Sequence, residues 1–242
     1  MAKDSDVATR PTGGALMSFH QVKQTQRYLI INPNTNDAVT HSIRELALSI
    51  TPPGVISEVT SPALGPYAIE TKQDKVAATQ HVLALIEQRQ KEGFAGYIMA
   101  CFDDIAIAEA RTLTQAPVIS LAEAGIRYAA ASGGLFTVVT TFIEAVPTIE
   151  ALSVTYGVNK RCRVDATGIG VADTAAQTEL AELRLHEAIQ GAIRLKSTSI
   201  VLGSGAFAGR AQSLSQRYRI DITDGFAEAL DFVIKQTQAD TH

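Results

Sequence analysis

The sequence predicts an α/β protein built from two pseudo-symmetric lobes, each a mostly parallel sheet flanked by helices. Three observations carry this reading. Short apolar runs alternate with amphipathic stretches along almost the whole chain. Runs such as YLII, YIMA and SIVL are continuous rather than alternating, as in strands buried on both faces. Four runs end in polar tips, and the tips fall in two sets of similar spacing: 67 positions from Asn34 to Cys101 and 63 from Thr141 to Ser204.

The strand runs, in order, are Tyr28–Ile31, Gly96–Ala100, Val118–Leu121, Phe136–Thr140, Val164–Ile169, Ser199–Leu202 and Ile220–Thr223. Helical stretches fall between them at 37–50, 70–92, 103–115, 122–132, 144–156, 174–196, 206–217 and 225–238. Within 70–92, Val76, Leu83, Ala84 and Ile86 form an apolar stripe at helical spacing. The first lobe is expected over 27–125 and the second over 126–225, with the last helix, 226–242, returning to the first lobe. Residues 1–26 read as a disordered or appended tail. Open parallel sheets bind ligands beyond the carboxyl ends of their strands. All four polar tips lie at such ends, so facing lobes would bring them to one cleft.

Composition narrows the function. The 242 residues are 46% hydrophobic, enough for a substantial core. A formal net charge of −4 without a basic block disfavours nucleic acid and anionic membranes as partners. No apolar run approaches the roughly 18–20 residues of a membrane span. The N-terminal stretch has no apolar signal core. Two widely separated cysteines, Cys101 and Cys162, give no disulfide framework, and the expected location is cytoplasmic.

Several chemistries can be weighed at the glycine-punctuated segment VLGSGAFAG, residues 201–209. A hydrolase nucleophile elbow needs glycines two residues either side of the serine, but Leu202 and Ala206 stand there. Gly203, Gly205 and Gly209 make a G-x-G-x-x-x-G pattern, one residue too long for a dinucleotide fingerprint. No pair of histidines has metal-ligand spacing, and neither C-x-x-C nor a Walker-type loop occurs. Cys101 follows a strand and precedes a helical stretch, whose N-terminal dipole would favour thiolate. Asp103 and Asp104 would oppose it. Position alone leaves Cys101 open between reactive thiol and small buried hydrophobe.

Seven stretches taken together resemble the aspartate/glutamate/hydantoin racemase superfamily, most closely its hydantoin and allantoin branch. They are INPNT (31–35), GPYAIE (65–70), MACFDD (99–104), LAEAG (121–125), VVTT (138–141), VLGSGAFAG (201–209) and the pair ID and DG (221–225). The resemblance runs in order through nearly the whole chain after residue 27. It implies two lobes with the site between them, a small-molecule carbonyl substrate such as a hydantoin, no cofactor, no metal, and a homo-oligomer. It implies two cysteines acting on opposite faces of the stereocentre, since inversion requires delivery opposite to removal. Cys101 matches the first-lobe cysteine. Asn34 and Thr35 match a substrate-binding turn, Gly65, Pro66 and Glu70 the loop before the long helix, and Thr140 and Thr141 a hydroxyl pair. Phe102 and Asp103, which follow the cysteine, and Gly205 and Ala206, which continue the second-lobe loop, are further expected substrate-binding residues. Ser204 stands where that family carries its second cysteine. The departure leaves two readings: a racemase with a serine, natural or substituted, on one face, or a one-thiol decarboxylase, lyase or isomerase.

Overall fold

The computed structural model describes residues 25–239. The proposed tail therefore lies outside the described residues up to position 24, and its last residue, Gln26, already opens the first strand. Eight strands form two four-stranded sheets, and all pairings are parallel. The first sheet contains β1 (Gln26–Ile31), β2 (Val55–Thr60), β3 (Gly96–Met99) and β4 (Val118–Ser120), in the order β2-β1-β3-β4. The second contains β5 (Phe136–Thr140), β6 (Cys162–Ala166), β7 (Ser199–Leu202) and β8 (Asp221–Thr223), in the order β6-β5-β7-β8. The second order repeats the first, displaced by four strands.

The central strands explain themselves. All residues of β3, β5 and β7 are buried, as are the last four of β1. Such strands need apolar side chains on both faces, hence the continuous runs. The strand the sequence reading missed, β2, is an edge strand. Its sequence VISEVT interleaves Ser57 and Glu58 with apolar residues, and none of its residues is fully buried. An edge strand carries no continuous apolar run, so that signal was absent.

Helices α1 (Asp37–Ile50), α2 (Lys72–Arg89), α3 (Ile107–Leu113), α4 (Leu121–Ala131) and α5 (Val146–Thr155) follow in the first part of the chain. After them come α6 (Val171–Ala175), α7 (Glu179–Arg194), α8 (Ala211–Tyr218) and α9 (Phe226–Ala239). Their starts are set by short polar side chains. The Asn36 side chain accepts from the amides of Ala38 and Val39 at the start of α1. Thr71 and Asp74 form a reciprocal capping box on α2. Ser120 caps α4, and Thr178 caps α7. The stretch expected as one helix over 174–196 is two, because Gln177 adopts a left-handed φ of 52° between α6 and α7. The stripe expected on α2 is also corrected. Val76 is 60% exposed, and the buried face is Ala78, Val82 and Ile86. Ala78 carries this face at i, i+4, i+8, and alanine is a weak marker in a hydrophobic pattern.

Helix α9 packs on β3, β4 and α4, and the Tyr28 hydroxyl of β1 lies 2.7 Å from Thr237 Oγ1. Its start is tightly constrained. Gly225 has φ +81°, and a Cβ there would come 2.6 Å from the Leu121 carbonyl oxygen. Gly225→Ala therefore combines left-handed strain with a backbone clash. It is expected to cost roughly 2–3 kcal/mol, measured as a lowered urea midpoint at unchanged m-value.

The neighbouring Asp224 is buried and ties α9 to the loop after β7, accepting from the amides of Gly209 (3.1 Å) and Phe226 (3.3 Å). Burial pushes its carboxyl up to about 6 despite those donors. Its folded value exceeds the ordinary carboxylate value, so the folded state binds more protons than the unfolded state between about pH 4 and 6. Stability from this group is greatest below that window and is lost as pH rises through 6, by roughly 3 kcal/mol. Urea titrations at pH 4.5 and 7 should show this slope in the parent and a flatter one in Asp224→Ala. Among the described residues, no helix is long and apolar enough to cross a membrane.

Candidate active site

Chain topology places the site. From β1 the chain moves outward to β2, then crosses back to β3 on the other side of β1. The crevice beyond the ends of β1 and β3 is thus a switch point, where no connection covers the sheet edge. The same reversal separates β5 from β7. All four polar tips follow these central strands: Asn34 after β1, Cys101 after β3, Thr141 after β5 and Ser204 after β7. The two switch points meet at one cavity of about 40 Å³. Asn34, Cys101, Phe102, Asp103, Thr140, Thr141, Ser204, Gly205 and Ala206 all line it. Apolar wall is added by Val39, Ile69, Phe142, Ile149 and Val171.

Thr35, Gly65 and Pro66 do not line this cavity. They form a clasp behind the Asn34 turn. The Thr35 amide and hydroxyl both donate to the Pro66 carbonyl, at 3.0 and 3.3 Å. A Cβ on Gly65 would come within 3.9 Å of Thr35 Cγ2. The adjoining Glu70 crosses to the second half of the chain, where its Oε1 accepts from the Val171 amide at 3.0 Å.

The polar groups in the cavity are not equivalent. Asn34 Oδ1 accepts from Asn32 Nδ2 (2.9 Å) and the Asn36 amide (3.0 Å). That fixes the side chain and leaves its Nδ2 with no partner among the described residues. The Thr140 hydroxyl donates to the Gly203 carbonyl at 3.0 Å, so it holds β5 to the Ser204 loop. The Thr141 hydroxyl has no such partner among the described residues, although the Thr141 carbonyl accepts from Thr167 and Gly168. Ser204 Oγ accepts from the Ala206 amide at 3.2 Å, so its own O–H remains available as a donor. Gly205 sits close against the backbone that follows β3. A Cβ there would lie 2.9 Å from the Ala100 carbonyl oxygen.

Cys101 departs from the expected setting. The helix anticipated from residue 103 begins at Ile107, so neither Cys101 nor Asp103 and Asp104 lie at a helix N-terminus. The intervening loop has two non-glycine residues in left-handed conformation, Asp104 (φ 49°) and Ala106 (φ 59°). Such backbone persists only when its surroundings hold it. Here Asp104 accepts hydrogen bonds from Ser120 and from Tyr156, which lies just beyond α5. Ser120 also caps α4. The aspartates that look like helix-start residues are thus drawn into tertiary contacts instead.

Without the dipole, burial pushes the Cys101 thiol up, and the Asp103 carboxylate adds to this. The Asp103 amide and Lys75 oppose them. Burial also raises the carboxyls of Asp103 and Asp104, against Lys75 for the first and Ser120 for the second. The resting thiol is protonated at neutral pH. The second cysteine, Cys162, begins β6 and does not line the cavity.

Three contributors went unseen in the sequence. Lys75, on α2, donates to Asp103 Oδ1 (3.2 Å) and to Thr148 Oγ1 of α5 (2.9 Å). Tyr156 grips Asp104. Phe142 closes one wall. None belongs to a recognisable motif, and only the close approach of the two sheets gives them a role. Among the described residues, no group of three or more His, Cys, Asp or Glu side chains is placed to hold a metal ion.

Comparison with known proteins places the chain. It is 28% identical over 208 residues to the hydantoin racemase of Rhizobium meliloti, covering 83% of this chain and 84% of that protein. The structure of allantoin racemase from Klebsiella pneumoniae superposes with a TM-score of 0.85 at 30% identity, covering 89% of each chain. The allantoin racemase of Pseudomonas fluorescens gives 0.83 at 26% identity, covering 89% of this chain and 92% of that one. The Asp/Glu/hydantoin racemase family model matches residues 29–233, and with two parallel four-stranded sheets meeting at their switch points the chain belongs to that family.

Proposed function

We propose that this chain is a racemase of 5-substituted hydantoins or allantoin, with Cys101 serving one face of the stereocentre and Ser204 the other. The observation that carries the reading is the meeting of one thiol and one hydroxyl, from β3 and β7, in a single cavity. The proposed lobes are 27–125 with the returning α9, and 126–225; each holds one sheet, and the proposed boundary falls within α4 (Leu121–Ala131).

The chemistry starts from the ring. A hydantoin C5–H lies beside a carbonyl, so removing the proton sends the electron pair into an enolate. The Asn34 Nδ2 and Thr141 hydroxyl, both without partners among the described residues, are suited to donate to its oxygen. Cys101, as thiolate, takes the C5 proton and becomes thiol. Ser204 then donates its hydroxyl proton to the opposite face, water reprotonates the alkoxide, and the hydroxide so formed takes the proton from Cys101, restoring the thiolate. The roles are unequal. A hydroxyl that already accepts from the Ala206 amide keeps its O–H free to give a proton, but its high pKa leaves almost no alkoxide to take one. A neutral ring also suits the electrostatics. The lining includes no cationic side chain, and the nearby Lys75 ammonium is already paired with Asp103, so the site offers a substrate carboxylate no uncommitted cation among the described residues.

The test is proton NMR in D₂O with each enantiomer of allantoin and of a 5-alkyl hydantoin, followed by polarimetry of the same samples. The enantiomer presenting its C5–H to Cys101 should exchange faster than it inverts, and the other should react slowly. Absence of exchange on any hydantoin would overturn the proposal. A second reading, a one-thiol decarboxylase or lyase, is favoured by the presence of a single thiol in the cavity. CO₂ release from a malonate-type acid without hydantoin exchange would select it.

A further inference from the structure

The lysine that reaches across the chain from α2 has a geometry that no general feature of the fold requires. Lys75 Nζ touches two groups at once: Asp103, two residues from the cavity thiol, and Thr148, on the helix that supplies Ile149 to the cavity wall. The ion pair is largely shielded, with side-chain exposures of 26% for Lys75 and 9% for Asp103. Pairs in such settings are screened less by solvent than surface pairs. We propose that Lys75 is a positioning residue for Cys101: its ammonium neutralises Asp103 beside the thiol, and its bond to Thr148 fixes the Cys101 loop against α5.

The charges that act on this sulfur are few. Asp103 and Asp104 come from its own loop and Lys75 from α2. The elements facing it from the second sheet present Thr140, Thr141 and Ser204, all uncharged. Lys75 is therefore the cation available to offset a forming thiolate. Asp104 is occupied by Ser120 and Tyr156, which leaves Asp103 as the carboxylate whose effect depends on its partner. Removing the ammonium withdraws the favourable charge and exposes the thiolate to an unpaired carboxylate. Both changes disfavour ionisation.

This inference rests on Cys101 as the working thiol, but its test does not need turnover. The full chain and its Lys75→Met, Lys75→Arg and Lys75→Met/Asp103→Asn variants are treated with iodoacetamide at pH 8, 8.5 and 9. Labelling of the Cys101 and Cys162 peptides is read by mass spectrometry. Lys75→Met should slow Cys101 alkylation about tenfold at each pH, at an unchanged Cys162 rate. Lys75→Arg should recover much of the loss, and so should the double variant, in which the unpaired carboxylate is gone. If Lys75 were only a strut, losing it would loosen the loop, and Cys101 would label at the same rate or faster. That outcome overturns the proposal. Hydantoin exchange measured in parallel separates the two readings. Slowed alkylation with no exchange in the parent chain refutes the racemase reading and leaves the role of Lys75 intact. Normal exchange with unchanged alkylation does the reverse.

Discussion

Cys101→Ala is expected to lower C5-proton exchange by about a thousandfold or more, within the usual span for a lost general acid/base. The site should otherwise survive. Cys101 is partly buried, its sulfur has no side-chain hydrogen-bond partner among the described residues, and its backbone amide donates to the Met99 carbonyl (2.8 Å) whatever the side chain. The loop is held from outside by Asp104 with Ser120 and Tyr156. The melting temperature should therefore shift little while exchange vanishes for both enantiomers. NMR in D₂O and a thermal melt on the same preparation check this. A variant that retains a tenth of the parent exchange rate would mean that the proton leaves by another base. The pH dependence adds a second check. Because burial, then Asp103, hold the thiol above its ordinary value, exchange in the parent chain should keep rising with pH through 9 without a plateau.

Ser204→Cys should move activity in the opposite direction. A thiol at that position has a reference pKa near 8.5, whereas the hydroxyl is a far weaker acid and an even less available base. Full racemisation should rise by roughly a hundredfold, the low end of a typical gain from a positioned acid/base. The difference between enantiomers should narrow, because either face then carries a group able to both take and give a proton. Initial rates of optical rotation from each pure enantiomer measure this directly. The substitution is mild in space, since sulfur replaces an oxygen whose recorded protein contact is the Ala206 amide. If Ser204→Cys leaves racemisation unchanged while Cys101→Ala abolishes exchange, the second proton comes from elsewhere, and the one-thiol chemistry gains ground.

Much of this molecule was legible from its residues. The central strands announced themselves, because a strand covered on both faces must be apolar throughout, and YLII, FTVV and SIVL meet that demand. The starts of α1, α2 and α4 fall within two residues of the expected 37, 70 and 122, where Asn36, Thr71 and Ser120 cap them. The paired polar tips were visible too, as was their likeness to a family of racemases. The edge strand β2 was not, because half-exposed positions tolerate Ser57 and Glu58 and erase the pattern.

What the sequence by itself determined was the set of chemical groups: one thiol and one serine at matched strand ends, with asparagine and threonine at the other two. Local pattern could write these because each lies just after a buried strand. The tertiary structure alone decided their surroundings. The reversal of strand order brings the four tips to one cavity. The late start of α3 removes the helix dipole from Cys101. Contacts between the two halves turn Asp104 toward Tyr156 and Lys75 toward Thr148. Lys75 and Asp103 are 28 residues apart, and Tyr156 and Asp104 are 52 apart. Charge and burial at a thiol depend on distance through space, and no periodicity along the chain encodes that distance.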